Sequence, residues 1–139
     1  MRVTGEDMQL YAVTDTQWLN GKDFLSVIES VLANGATFLQ LREKNATHEE
    51  IVKKAMAIKP IAKKYGVPFV IDDDIYAAKE ADADGVHIGQ SDADYKTARA
   101  VLGEGKIIGM TVKTKEQAEN AIRMGADYVA VSYTHLTLP

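Results

Sequence analysis

The chain of 139 residues contains no cysteine, only three prolines and a single tryptophan. Without cysteine it can form neither disulfides nor thiolate metal sites, and a cytoplasmic location is the simplest expectation. No apolar run is long enough to cross a membrane, and Glu6 and Asp7 interrupt the stretch where a signal peptide needs apolar residues. Asp and Glu (20) outnumber Lys and Arg (16), so no basic face for nonspecific nucleic-acid binding is expected.

What the chain does contain is a regular alternation of short apolar runs and longer amphipathic segments. The predicted strands are 10–13, 38–42, 68–71, 85–88, 107–110 and 128–131, and the predicted helices are 23–34, 47–65, 75–81, 94–102 and 115–124. Pro60 is expected to bend the second helix or to split it in two. Strict alternation of about six strands and five helices predicts a parallel sheet covered by helices.

Two α/β architectures fit this pattern, an open doubly wound sheet and a (β/α)8 TIM-type barrel. No G-x-G-x-x-G motif or P-loop follows the first strand, which disfavours the nucleotide-binding open sheets and favours the barrel. Polar residues follow each strand, among them Thr14-Asp15, Asp72-Asp73-Asp74 and Gly89-Gln90-Ser91-Asp92. In a parallel sheet these positions share one edge, which is where such folds bind ligands.

The segment FLQLREK (38–44) has a buried-strand composition with a polar stripe in it. Gln40, Arg42 and Lys44 are two residues apart, so a strand would place all three on one face. If the leucines between them face the helices, this polar stripe faces the barrel axis and its mouth. Burying unpaired cations costs several kcal/mol. The stripe therefore predicts nearby negative charge, either from the aspartates or from an anionic ligand such as pyrophosphate.

The aspartates after the third and fourth strands have two interpretations. One of Asp72, Asp73 and Asp74 together with Asp92 could hold Mg²⁺ through carboxylates and water, as is usual beside a diphosphate. Alternatively, Asp73 or Asp74 caps the helix that follows, and Asp92 or Asp94 caps the next. Spacing alone leaves both alternatives open. The cations of the polar stripe favour the metal, because cations and a metal together form a diphosphate clamp.

Several of these motifs occur together and in a characteristic order. They are QLREK (40–44), the acidic pair Asp72-Asp73, ADADGVHIGQSDAD (81–94), IIGMTVKT (107–114) and GADYV (125–129). In this order the sequence resembles the thiamine phosphate synthases over residues 9–131. The resemblance implies a (β/α)8 barrel enzyme that joins hydroxymethylpyrimidine diphosphate to thiazole phosphate, giving thiamine phosphate and pyrophosphate.

The resemblance also implies roles for the QLREK motif. Its residues would bind the pyrimidine diphosphate, and two of them would also stabilise the departing diphosphate as catalytic groups. The residues are Gln40, Leu41, Arg42, Glu43 and Lys44, with Arg42 and Lys44 as the catalytic pair.

Five further residues receive roles from the same resemblance. Asp73 and Asp92 would hold Mg²⁺, and Asp72 would lie beside the pyrimidine substrate where the family more often has Asn. Thr111 would replace a family Ser that contacts the diphosphate. His87 would line the pocket near the pyrimidine, although a histidine on an apolar strand is more often a hydrogen-bonded core residue.

The end of the chain departs from the family pattern. After GADYVAV (125–131) the family continues with a glycine-rich strand end and a P-T-x-T-K loop, whereas this sequence reads SYTHLTLP. We therefore expect residues 1–131 to form a partial barrel domain and residues 132–139 to be a tail foreign to it. Such a truncated chain is expected to be inactive alone and to self-associate through open sheet edges.

Two other functions compete with the synthase. A thiazole tautomerase shares the barrel, but it has little use for a clamp made of Arg42, Lys44, Asp73 and Asp92 together. A remnant that binds phosphate without catalysis is the second alternative. In all three cases the expected partners are small molecules, with no nucleic acid and no membrane.

Overall fold

The computed structural model describes residues 2–132, apart from the side chain of Trp18. It contains six strands, five α-helices and one short 3-10 helix. The strands are β1 (Tyr11–Val13), β2 (Phe38–Leu41), β3 (Phe69–Asp72), β4 (Gly85–Ile88), β5 (Ile107–Val112) and β6 (Tyr128–Val131). The α-helices are α1 (Phe24–Ala33), α2 (His48–Lys64), α3 (Ile75–Glu80), α4 (Asp92–Leu102) and α5 (Lys115–Met124), and the 3-10 helix is Thr16–Trp18. The predicted alternation is confirmed. The tail lies outside the described residues except for Ser132.

The six strands form one parallel sheet in the order β1-β2-β3-β4-β5-β6, so each strand pairs with its neighbour in sequence. In a doubly wound sheet the order of the strands reverses at a switch point, whereas the order here follows the sequence throughout. The α/β class and the incomplete (β/α)8 architecture are therefore confirmed. Within residues 2–132, β1 and β6 are paired on one side only. None of the helices in this part of the chain has the length and apolar character needed to cross a bilayer.

Each α-helix begins after a side chain that accepts a hydrogen bond from the backbone N–H three residues later. The capping residues are Asp23, Thr47, Asp74, Ser91 and Thr114. Each such cap contributes about 1 kcal/mol to the stability of its helix. The predicted cap at Asp74 is confirmed. The prediction that Asp92 or Asp94 caps α4 is wrong, because Ser91 does so and the helix begins two residues earlier than expected.

Pro60 does not split α2, which runs as one helix from His48 to Lys64. Its ring lies on the exposed face of the helix, and the residue four positions earlier, Met56, is also exposed. Solvent can therefore bond the backbone carbonyl that loses its helical partner. Strand β5 is two residues longer than predicted, which brings Thr111 into the sheet.

The two faces of the sheet bury different sets of side chains. Leu39 and Leu41 pack in the large core between sheet and helices, as expected for alternate residues of β2. The opposite face encloses a smaller apolar cluster of Val3, Phe38, Val70 and Ile107, with Met8, Tyr11 and Tyr128 packed against it. The inward face therefore has an apolar floor, and its polar residues lie above that floor toward the carboxyl ends of the strands.

Hydrogen-bonded carboxylates hold the amino ends of the strands together. Asp127 accepts hydrogen bonds from the backbone N–H of Ile108 (2.9 Å) and from the guanidinium groups of Arg99 (3.3 Å) and Arg2 (2.6 Å). Asp84 accepts from the backbone N–H of Phe69 at 2.8 Å. Both carboxylates accept hydrogen bonds from the backbone of a neighbouring strand, so they stabilise the floor of the barrel rather than form a ligand site.

His48, the first residue of α2, bridges both ends of α3. Its Nδ1 lies 2.8 Å from Oδ2 of Asp74 and its Nε2 lies 2.9 Å from Oε2 of Glu80. Hydrogen bonds to Glu80 and Asp74 raise the pKa of His48 above its usual value of 6.5. A raised pKa in the folded state means that this contribution to stability is complete below pH 6.5 and is lost as the pH rises through the folded-state pKa.

We predict that His48→Gln lowers the urea midpoint at about pH 5.5 and has little effect at about pH 8.5, because only the charged imidazole can donate to both carboxylates. The check is a pair of urea titrations of wild type and variant at the two pH values. An equal loss at both pH values would show that the bridge contributes no charge interaction.

Candidate functional site

The carboxyl ends of the strands surround a cavity of about 680 Å³. Every strand contributes to its wall. The lining residues are Tyr11, Val13, Gln40, Arg42, Lys44, Asp72, Asp73, His87, Ile88, Gly89, Gln90, Thr111, Ala130, Val131 and Ser132. Most of the polar residues singled out in the sequence therefore converge on one space, which we call the carboxyl-edge cavity.

The three polar residues of the stripe all line this cavity, which confirms that they face inward. Gln40 is only 5% exposed, whereas the Arg42 side chain is 38% exposed. The Nε of Arg42 lies 3.9 Å from Oδ2 of Asp72 on the next strand. The negative charge that the stripe predicted is thus supplied in part by β3, at a distance that leaves Arg42 free to bind a ligand.

Two residues of the same motif have side chains that lie elsewhere. Leu41 is buried among the helices. Glu43 lines a separate, smaller cavity, where its Oε2 accepts from the Thr16 hydroxyl at 3.1 Å and lies 3.6 Å from the Lys54 ammonium. Neither side chain is part of the carboxyl-edge cavity wall, so their substrate-binding roles stay predictions without side-chain contact to support them.

Asp72 is the carboxylate most affected by its surroundings. Burial raises its pKa to about 6, the neighbouring charge of Asp73 adds to the rise, and Arg42 and Lys44 oppose it. At neutral pH the carboxylate is therefore ionised at an energetic cost, and that cost disappears once the group is protonated. A cation bound beside Asp72 and Asp73 would offset the same cost.

The other aspartates are divided among different tasks. Asp73 lines the cavity with a left-handed backbone (φ 62°), whereas Asp74 caps α3. Asp92 is exposed in the first turn of α4, where its Oδ1 accepts from the Asn120 amide at 2.9 Å, and it does not line the cavity. Within residues 2–132 no three His, Cys, Asp or Glu side chains are grouped to hold a metal. Binding of Mg²⁺ by Asp73 and Asp92 remains a prediction.

His87 is a fully hydrogen-bonded residue that also lines the cavity. It is 6% exposed, its Nδ1 lies 2.8 Å from the Tyr128 hydroxyl, and its Nε2 lies 2.8 Å from the Thr111 hydroxyl. Burial lowers the pKa of His87 to about 4, so the ring is neutral at physiological pH. His87 is thus the hydrogen-bonded core residue that the sequence also allowed, and its place beside the pyrimidine stays a prediction.

Two tyrosines complete the polar wall. Tyr11 accepts from the Gln40 amide at 2.8 Å, and its hydroxyl lies 2.5 Å from that of Tyr128. Burial raises the pKa of Tyr11 to about 12 and that of Tyr128 still further, so both remain protonated. Neither tyrosine was assigned a role from the sequence. The available signal was the period of two in β6, which places Tyr128 on the same face as Ala130.

The sequence and the fold both match known proteins. A family model described as thiamine monophosphate synthase matches residues 10–138. The chain belongs to the thiamine monophosphate synthase family. It is 46% identical over 124 residues to a thiamine-phosphate synthase of Clostridioides difficile, a match that covers 89% of this chain and 59% of that protein.

Other members of the thiamine monophosphate synthase family give the same picture. A thiamine-phosphate synthase of Persephonella marina is 42% identical over 123 residues, covering 88% of this chain and 59% of that protein. The solved structure of thiamine phosphate pyrophosphorylase from Pyrococcus furiosus superposes with a TM-score of 0.83 at 30% identity, covering 94% of this chain and 62% of that one. The chain thus spans about three-fifths of the length of the relatives it matches.

We predict that Asp72→Asn raises the free energy of unfolding by about 1–3 kcal/mol at about pH 8, because it removes a buried charge whose pKa is raised. The gain should shrink at about pH 5, where the wild-type carboxyl is largely protonated. Urea denaturation at both pH values measures it, with Asp94→Asn as the same change at an exposed position. A loss of stability at pH 8 would mean that the Arg42–Asp72 pair outweighs burial.

Proposed function

We propose that the protein containing this chain is a thiamine phosphate synthase, which condenses hydroxymethylpyrimidine diphosphate with thiazole phosphate and releases pyrophosphate. The observation that carries the proposal is the convergence of Gln40, Arg42 and Lys44 with Asp72 and Asp73 on one cavity, in a member of this family. The cavity volume of about 680 Å³ is within the range of small-molecule sites. The cysteine-free composition supports a cytoplasmic location for this reaction.

The cations of the cavity suit the departure of a diphosphate. As the bond between the pyrimidine methylene and the diphosphate oxygen breaks, negative charge grows on the leaving group. Arg42 and Lys44 can donate hydrogen bonds to that charge, which is a stronger interaction in the transition state than with the ground-state substrate. The aminopyrimidine stabilises the positive charge left on the methylene carbon, and the thiazole nitrogen then attacks it. No nucleophilic side chain is required.

The acidic residues of the cavity fit a divalent cation. Asp72 and Asp73 both line the cavity, and their mutual repulsion contributes to the raised pKa of Asp72. Mg²⁺ is typically held by one or two carboxylates together with substrate phosphate oxygens and water. When bound, Mg²⁺ would neutralise diphosphate charge. We propose Asp73 as its main protein ligand, with Asp72 beside it, and Asp92 as a more distant contributor that must first leave Asn120.

Other residues of the cavity wall can recognise the neutral part of the substrate. Nε2 of Gln40 donates to Tyr11, so its carbonyl oxygen is available to accept from the substrate's amino group. Neutral His87 and the Thr111 hydroxyl lie on β4 and β5 nearby. A thiazole tautomerase would need no such combination of cations and carboxylates. A phosphate-binding remnant would need the cations but not Gln40.

We predict that Arg42→Ala and Lys44→Ala each weaken binding of pyrophosphate with Mg²⁺ by about 10- to 100-fold, the loss expected for one hydrogen bond to a charged group. Isothermal titration calorimetry on the 139-residue chain measures this. Lys113→Ala, at an exposed strand-end lysine, is the matched control and should bind as wild type does. Formation of thiamine phosphate by the intact protein then separates a synthase from a binding remnant. Equal affinity in all three variants would contradict the proposal.

A second prediction concerns the binding of Mg²⁺ by Asp73. Asp73→Asn should raise the Mg²⁺ concentration needed for half-maximal pyrophosphate binding by about tenfold or more, because a neutral amide oxygen is a weaker ligand for Mg²⁺ than a carboxylate. The measurement is a Mg²⁺ titration at fixed pyrophosphate, with Asp94→Asn as the control. A Mg²⁺ requirement equal to that of wild type would exclude Asp73 as a ligand.

A further inference from the structure

Five polar side chains form a continuous hydrogen-bonded chain across the inside of the sheet. Its links run from the Gln40 amide to the Tyr11 hydroxyl (2.8 Å), then to Tyr128 (2.5 Å), to Nδ1 of His87 (2.8 Å), and from Nε2 of His87 to Thr111 (2.8 Å). These residues belong to five different strands, and both ends of the chain line the carboxyl-edge cavity. We call it the interior relay.

Counting donors and acceptors gives the relay a direction. Gln40 donates to Tyr11, so the Tyr11 hydroxyl proton must find another acceptor, and within residues 2–132 its only other partner is Tyr128. Tyr128 then accepts from Tyr11 and donates its own proton to Nδ1 of His87. A neutral imidazole has one donor and one acceptor, so His87 carries its proton on Nε2 and donates it to Thr111.

A glycine on the intervening strand makes the relay possible. Gly109 of β5 is paired on one side with His87 and on the other with Tyr128. A Cβ atom at position 109 would overlap the Tyr128 ring. Because there is no side chain there, the Tyr128 ring lies across β5 and stacks on His87, with ring centroids 5.6 Å apart and planes inclined by 26°. The backbone is thus adapted to bring these two rings together.

We propose that the interior relay makes Tyr128 and Tyr11 positioning residues, which hold His87 as the Nε2–H tautomer and turn the Thr111 hydroxyl proton toward the cavity. The Thr111 hydroxyl has no other hydrogen bond among the described residues, so its proton is available to a ligand oxygen. This assignment rests on the proposed function, in which that oxygen belongs to the diphosphate. The reverse direction would point the Thr111 proton at His87 and leave only a lone pair facing an anion, which would repel it.

The tautomer can be measured without any assumption about function. Long-range ¹H–¹⁵N correlation spectra of the histidine-labelled 139-residue chain distinguish a protonated from an unprotonated ring nitrogen, with His48→Gln and His135→Gln used to assign His87. We expect a protonated Nε2 and an unprotonated Nδ1 in wild type. In Tyr128→Phe, which removes only the hydroxyl, the two ¹⁵N shifts should move toward each other as the bias is lost.

Gly109→Ala tests the same link without removing a polar atom. It displaces the Tyr128 ring and should produce the same change in the ¹⁵N shifts of His87. The controls are Gly105→Ala, where an added Cβ meets nothing within 4 Å, and Tyr76→Phe, at a tyrosine that is 61% exposed. Both should leave the His87 spectrum unchanged.

Pyrophosphate titrations connect the relay to the site. Thr111→Val and Tyr128→Phe should weaken binding by about tenfold, whereas Thr111→Ser should stay within about twofold of wild type because it keeps the hydroxyl. Wild-type spectra that show the Nε2–H tautomer, together with this pattern of affinities, support the proposal in full.

Two results would overturn the relay. One is an Nδ1–H tautomer in wild type, and the other is a His87 spectrum that neither Tyr128→Phe nor Gly109→Ala changes. If the spectra behave as expected but wild type binds no pyrophosphate, the proposed function has failed and the relay stands. If either variant does not fold, the wild-type tautomer alone still decides the direction of the relay.

Discussion

The inside of the curved sheet can hold polar side chains only because each of them has a hydrogen-bond partner. Gln40 and His87 are almost completely buried, and a buried polar group without a partner costs roughly 1–3 kcal/mol. Tyr11 and Tyr128 satisfy that requirement from β1 and β6, the edge strands of the described sheet. Their hydroxyl contact therefore joins the first and last strands of the described sheet through its interior, while their rings pack on the apolar floor beneath.

The two ends of the barrel differ in how their charged groups are paired. At the amino ends of the strands, carboxylates such as Asp127 are buried and fully engaged by guanidinium and backbone N–H donors, so they have no capacity for a ligand. At the carboxyl ends, Arg42 and Asp72 are only loosely paired, and Asp72 carries the cost of partial burial in its raised pKa. A charged ligand can stabilise a carboxylate that is ionised at an energetic cost, and it can bind the N–H donors of a loosely paired guanidinium. This division is typical of parallel barrels, whose ligand sites lie at the carboxyl edge.

Much of this arrangement was predictable from the sequence, and the failures have physical causes. The alternation of strands and helices follows from local periodicity. Gln40, Arg42 and Lys44 all line the cavity as predicted, although β2 ends at Leu41 and Lys44 lies in the turn beyond it. The predicted start of α4 was wrong because Ser91 and Asp92 are both good capping residues. Which of them caps the helix depends on backbone geometry that the composition does not specify. Tyr128 was missed because a tyrosine at the start of an apolar strand looks like a packing residue. Only its neighbours across the sheet, Gly109 and His87, show that its hydroxyl has partners.

The sequence by itself determined which residues share a face, because side-chain direction in a strand alternates with every residue. It therefore determined that cations from β2 and carboxylates from β3 meet at one edge of a parallel sheet. Only the tertiary structure decided which aspartates are free, placing Asp73 in the cavity, Asp74 on a helix end and Asp92 against Asn120. Those fates depend on distances between elements far apart in the chain. Such distances are set by how helices pack on the sheet and by how strongly the sheet curves, and no local pattern specifies either.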